Sequence, residues 1–185
     1  MILPVTVYGD PLLRKIAQPI DKDYPELKQL IKDMFETMYH ADGVGLAAPQ
    51  IGHSIRLIVI DGSPAASDEE PEMADFKKVM INPVILSVSG DLWSFEEGCL
   101  SLPTIHENVY REDEVTIKYC DENWVEHTET YSGYAGRIIM HEYDHLEGLL
   151  FVDHISPLRR RLLKSKLTSI SKGNVKTDYR IRTPK

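Results

Sequence analysis

Two periodicities organise this chain. From Pro25 to about His40, Leu27, Leu30, Ile31, Met34, Phe35 and Met38 recur at three- and four-residue intervals. Such spacing gathers them into one stripe of an amphipathic helix, which the glycine of Asp42-Gly43 brings to an end. Residues 55–60, about 79–89, 105–110, 114–121 and 124–131 read instead as strands; in Val115-Thr116-Ile117-Lys118-Tyr119-Cys120 alternate side chains share a face. Links as short as Asp121-Glu122-Asn123 make the sheet mainly antiparallel. Asp10 and Pro11 supply an N-cap and an N1 proline for a short helix over 10–15. Gly133 leads into a further helix, and a last amphipathic one runs from Ser156 or Pro157 to about Ile170. This order predicts an α+β fold, with mainly antiparallel sheets packed around a central helix that starts near Gly133, and a C-terminal helix.

Composition sets the scale. A chain of 185 residues with 42% apolar content can bury one core. Residues 1–170 are expected to form one domain and the basic stretch 171–185 a flexible tail. Asp61–Asp75 is acidic and rich in Ser, Ala and Pro, which predicts a mobile surface insertion. No apolar run is long enough for a membrane span, and Met1-Ile2-Leu3-Pro4-Val5 has no signal-peptide character. A cytoplasmic monomer is the expectation. Two cysteines make no disulfide framework of the secreted kind.

The chemistry is concentrated in His141-Glu142-Tyr143-Asp144-His145. Side chains four apart on a helix lie one above the other, so His141 and His145 can share one divalent metal. Glu142 sits about 100° round the helix, where it can border the metal as a general base without ligating it. A hydrolytic metal site usually takes three protein ligands and leaves one position open. No glutamate follows Glu147, and His154 has no motif-like spacing, so the third ligand must lie upstream. Cys99, in Glu96-Glu97-Gly98-Cys99-Leu100-Ser101-Leu102-Pro103, is the best candidate, since a thiolate suits Zn(II) or Fe(II). Cys120 reads as an ordinary half-buried strand residue. Asp144 reads equally as an orienting carboxylate and a solvated one. Ile138, one turn before Glu142, borders the metal face and could line a pocket or simply pack in the core. In Gly43-Val44-Gly45-Leu46-Ala47-Ala48-Pro49-Gln50, two glycines allow close backbone approach to a ligand, and Gln50 offers an amide donor.

GVGLAAPQ, EGCLSLP and HEYDHLEG, in this order, resemble the three signature motifs of peptide deformylases, and the resemblance spans roughly residues 1–170. It implies an enzyme that removes the formyl group from the N-terminal formylmethionine of nascent polypeptides. It further implies a metal on Cys99, His141 and His145 that lowers the pKa of its water, with Glu142 taking the proton and later delivering it to the departing amine. The Gln50 amide and the Leu100 N–H would stabilise the oxyanion. Gly45, Val44, Glu97 and Ile138 would bind the substrate. The ligand set accepts Fe(II), Zn(II), Ni(II) or Co(II), and the resemblance favours one Fe(II) per chain in cells. A zinc peptidase is the rival that HExxH alone would favour, and a non-catalytic metal protein is a second. The stretch after EGCLS has no arginine before Arg111, only His106, which puts substrate contacts from that segment in doubt.

Charge adds a last expectation. Residues 158–185 hold ten Lys or Arg against the single acid Asp178, so this end carries +9 and, with −8 overall, the first 157 residues carry −17. Such asymmetry suits either an anionic partner or a solvated helix balancing an acidic body. Formylated chains emerge at the ribosome, so the basic helix is expected to contact it.

Overall fold

The computed structural model describes residues 1–185. Strand β1 (Val5–Thr6) and a 3₁₀ turn at Pro11–Arg14 lead to helix α1 (Leu27–His40). Strands β2 (Gly45–Ala47), β3 (Leu57–Asp61), β4 (Lys77–Cys99), β5 (Leu102–Cys120) and β6 (Glu126–Tyr131) follow. Helix α2 (Gly133–Leu146), helices α3 (Pro157–Leu162) and α4 (Lys164–Ser171), and strand β7 (Ile181–Arg182) complete the chain. Strands β2 to β6 form one antiparallel sheet in sequence order, leaving β2 at one edge.

Strand β3 shows why the layers stack as they do. It is buried along its whole length, and its side chains alternate between two cores. Ile58 and Ile60 join Met80, Ile117, Ile138 and Ile139 beneath α2, while Leu57 and Val59 join Leu30, Met34 and Met38 of α1. The sheet is thus covered on both faces by helices, and α2 is the inner one, with His145 and Leu146 at most 1% exposed. A third core joins Leu102, Ile105 and Val109 of β5 to Phe151, to Leu163 between α3 and α4, and to Leu167 and Ile170 of α4.

Four expectations need correction. The segments read as strands near 79–89, 105–110 and 114–121 are parts of two long strands, β4 and β5, paired across a tight turn at Leu100-Ser101. Bulges between Ile81/Val84, Ile85/Ser87 and Ser89/Leu92 shift the register and bend this hairpin. The last helix breaks into α3 and α4 at Leu163. The acidic insertion carries 3₁₀ turns at Ser63–Ala65 and Pro71–Asp75, and fully buried Met73 pins it to the main core. The tail is docked: Val5 pairs with Ile181 and Thr6 with Arg182 in parallel, with Val5 N–H on the Arg180 carbonyl at 2.9 Å and Val7 N–H on that of Arg182 at 3.0 Å.

Candidate metal centre and peptide cleft

Helix α2 is held at both ends by groups distant in sequence. Asp113 accepts from the Gly133 N–H (3.1 Å) at its start. Past its C-terminus Gly148 adopts φ +71, and a Cβ there would lie 2.5 Å from the Arg14 carbonyl oxygen, so only glycine closes this end. Between these anchors Arg137, His141 and His145 follow at four-residue spacing along one face.

The β4–β5 turn brings Cys99 to that face. Its Sγ lies 3.3 Å from His145 Nε2, and the ligand atoms of Cys99, His141 and His145 all fall within 4.8 Å of one another. A tetrahedral ion with ordinary metal–sulfur and metal–nitrogen lengths sets its donors roughly 3.3 to 3.6 Å apart, and small side-chain shifts bring the trio to that spacing. The trio fits such an ion, and its soft-to-borderline donors fit a late first-row metal. Burial pushes the Cys99 thiol up, but the charge of His145 and bonds from both imidazoles outweigh it and bring the thiol down to about 5. Burial likewise opposes the charge on His141, yet the Cys99 and Glu97 partners raise its pKa well above the ordinary value. The two imidazoles thus favour the Cys99 thiolate, the form that binds metal.

Glu97, expected to bind substrate, is turned inward. It is buried, and its carboxylate accepts from Arg111 Nε (2.8 Å) and Nη2 (3.0 Å), from Arg137 Nη1 (2.9 Å) and from His141 Nδ1 (2.7 Å). Its oxygens have nothing left for a peptide. Burial pushes this carboxyl up, but His141 and the Arg111 guanidinium outweigh that and hold it far below the usual range. Arg111 also reaches Asp144 (2.8 Å), which receives His154 Nε2 at 2.7 Å. Asp144 is thus an orienting carboxylate, not a solvated one. Arg137 stacks on Trp93 at 4.4 Å and donates to the Trp93 and Val109 carbonyls. The charge cluster behind His141 leaves no motif in the sequence, because Glu97 lies 14 residues from Arg111 and 40 and 44 residues from Arg137 and His141.

Glu142 lies on the cleft side of α2, 5% exposed, with its Oε2 buried and unpartnered. A Cβ on Gly45 would stand 2.6 Å from Glu142 Oε1, so any side chain at position 45 would strike the carboxylate. Gly45 opens the edge strand β2, whose free side can accept an extended chain. Gln50 is buried; its Oε1 accepts from Ala47 N–H (2.9 Å), which aims Nε2 at Ser101 Oγ (3.2 Å) and Cys99 Sγ (3.5 Å). The Leu100 N–H has no partner within the protein. A cleft of about 560 Å³ runs past these groups, lined also by Val44, Ile138, His106 and residues 176–179. Ile138 serves both cleft and core, being 4% exposed. Cys120 is a half-buried strand residue packed at the α1 core, away from the centre.

The model of the polypeptide deformylase family matches residues 2–161. A peptide deformylase of Christiangramia forsetii is 55% identical, covering 100% of this chain and 97% of its own. The crystal structure of a peptide deformylase from Legionella pneumophila superposes with a TM-score of 0.80 at 40% identity, over 94% of this chain and 98% of that one. Its counterpart from Thermotoga maritima gives 0.75 at 41%, over 85% and 99%.

Proposed function

Because the chain belongs to the polypeptide deformylase family, metal-dependent enzymes that remove the formyl group from nascent peptides, we propose that this hydrolysis is carried out by the cluster on α2 and the β4–β5 turn. Cys99, His141 and His145 would hold one metal per chain; Fe(II) is the proposed ion, with Zn(II), Ni(II) and Co(II) chemically admissible. When bound, the metal acts as a Lewis acid that makes water acidic enough to attack a formyl carbon near neutral pH. The observation that carries the reading is the buried, unpartnered Glu142 carboxylate beside that ligand trio. Glu142 takes the proton from the attacking water and returns it to the amine nitrogen as the C–N bond breaks. Gln50 Nε2 and the Leu100 N–H donate to the developing oxyanion, each worth about 3 kcal/mol by comparison with similar donors. Val44 and Ile138 face the methionine side chain, and β2 pairs with the extended substrate through Gly45. Glu97 acts behind the site, fixing the ring of His141 through Nδ1 and leaving Nε2 for the metal.

Metal content tests the ligand assignment. Anaerobically purified wild-type protein should carry about one transition metal per chain, and Cys99→Ala should lose tight binding. A Cys99→Ala protein that kept its metal would move the third ligand elsewhere and favour a peptidase-like site.

No helix is long and apolar enough to cross a membrane. We place the enzyme in the cytoplasm, beside the ribosome that supplies its substrate. Part of the basic end is spent internally, since Arg159 is held by Glu107 (2.7 Å) and Arg160 by Asp153 (3.3 Å). Arg161, Lys164, Lys166 and Lys172 remain exposed on α3 and α4 and are the proposed contact to ribosomal RNA phosphates. Removing these helices would also expose the core lined by Leu163, Leu167 and Ile170, so charge reversal is the sounder test. Changing Arg161, Lys164 and Lys166 to Glu should abolish low-salt ribosome co-sedimentation while free formyl-peptide hydrolysis persists. Undiminished pelleting of the triple variant would refute the contact.

A further inference from the structure

Residues 176–179 lie beyond residues 2–161, which the family model matches, yet they line the same cleft as Cys99 and Glu142. Three contacts bring the tail there. After α4, Val175 and Ile181 pack against the third core. Strand β7 pairs with β1, and the Arg182 guanidinium crosses Gly52 so closely that a Cβ there would meet it at 2.5 Å. Between those anchors the Tyr179 hydroxyl donates to the Leu100 carbonyl at 2.8 Å, and Thr177 Oγ1 donates to the Tyr179 carbonyl at 2.7 Å. The tail is therefore tied to the turn that carries Cys99.

Resting on the deformylase reading, we propose that Lys176–Tyr179 form a substrate-binding wall that engages the residues following the formylated methionine. The methionine end of the peptide must sit at the ligand trio, so the rest of the chain passes outward along the cleft. Lys176 is exposed at this lining and makes no ion pair, whereas Arg159, Arg160 and Arg182 are held by Glu107, Asp153 and Asp10. Its ammonium is free to donate to main-chain carbonyls or to an acidic side chain of the peptide. Asp42, Glu96 and Asp178 are exposed around the same cleft, so the wall senses charge in both directions. Tyr179 is a positioning residue: it touches no reacting atom and holds the wall against Leu100.

Kinetics on two substrates test the wall: formyl-Met-Ala, too short to reach it, and a formyl-Met hexapeptide. Tyr179→Phe keeps the ring and removes one neutral hydrogen bond. It should raise KM for the hexapeptide about fivefold with little change in kcat, and leave the dipeptide within about twofold on both constants. Lys176→Glu, at an exposed position, should shift the kcat/KM ratio between hexapeptides bearing Lys and Asp at the third residue by about threefold toward Lys. Equal effects of Tyr179→Phe on both lengths, or a lower melting temperature with the length ratio unchanged, would overturn the proposal. So would an unmoved charge preference in Lys176→Glu. Failure of the wild-type protein to hydrolyse either peptide would instead sink the deformylase reading itself.

Discussion

Glu142→Gln should keep its metal and lose hydrolysis of formyl-Met-Ala-Ser by about 10²- to 10⁴-fold, the range that general-base catalysis supplies. The substitution is nearly isosteric, which matters because Glu142 has no spare room. Its Oε1 lies against the Gly45 backbone, and the residue is buried at the cleft wall. Gln fits the same space, but its amide cannot take a proton from water. The ligand trio is untouched, because no hydrogen bond joins Glu142 to Cys99, His141 or His145. The loss should therefore fall on kcat, with KM and metal content close to wild type. Wild-type turnover by Glu142→Gln would remove the general-base role, and loss of metal would make Glu142 part of the ligand field.

Local features carry strong sequence signals here, and long-range ones do not. Two histidines and a glutamate at helical spacing put a chemical hypothesis on one face of one element, and α2 is formed by those residues. The stripe from Leu27 to Met38 likewise marks α1 by period alone. Strand continuity is hidden where charges break the alternation. Arg111-Glu112-Asp113 separates two strand-like stretches, yet it continues β5, with Arg111 buried by its bonds to Glu97 and Asp144. The tail misled for a related reason. Its charge and small residues suggest solvation, while the interactions that dock it are backbone bonds to β1, two isolated apolar contacts from Val175 and Ile181, and one tyrosine hydroxyl, none of which leaves a periodic trace. The turn at Leu100-Ser101 shows the same division. Cys99 could be nominated from its chemistry, but its approach to His145 depends on a hairpin of two long strands bent by bulges.

Glu97→Ala should be the most destabilising single change near the site, by about 3–5 kcal/mol, because it leaves two buried cations with one carboxylate too few. Arg111 and Arg137 are 6% and 1% exposed, so neither guanidinium can turn to water without opening the sheet. Arg111 would keep Asp144, but Arg137 would keep only carbonyl acceptors and the Trp93 and Phe95 rings. For a chain of this length the loss corresponds to roughly 10 °C in melting temperature. Glu97→Gln should cost less, since the amide oxygen can still accept from one arginine. Removing the carboxylate also frees His141 Nδ1, and an unoriented imidazole typically weakens metal binding about 10- to 100-fold. Bound metal itself stabilises the fold, so the two effects must be separated by melting the apo and metal-loaded forms of each variant. A drop seen only in the loaded forms would assign Glu97 to the metal alone. A drop of similar size in the apo forms is the expected result, because the arginines are buried whether or not the ion is present.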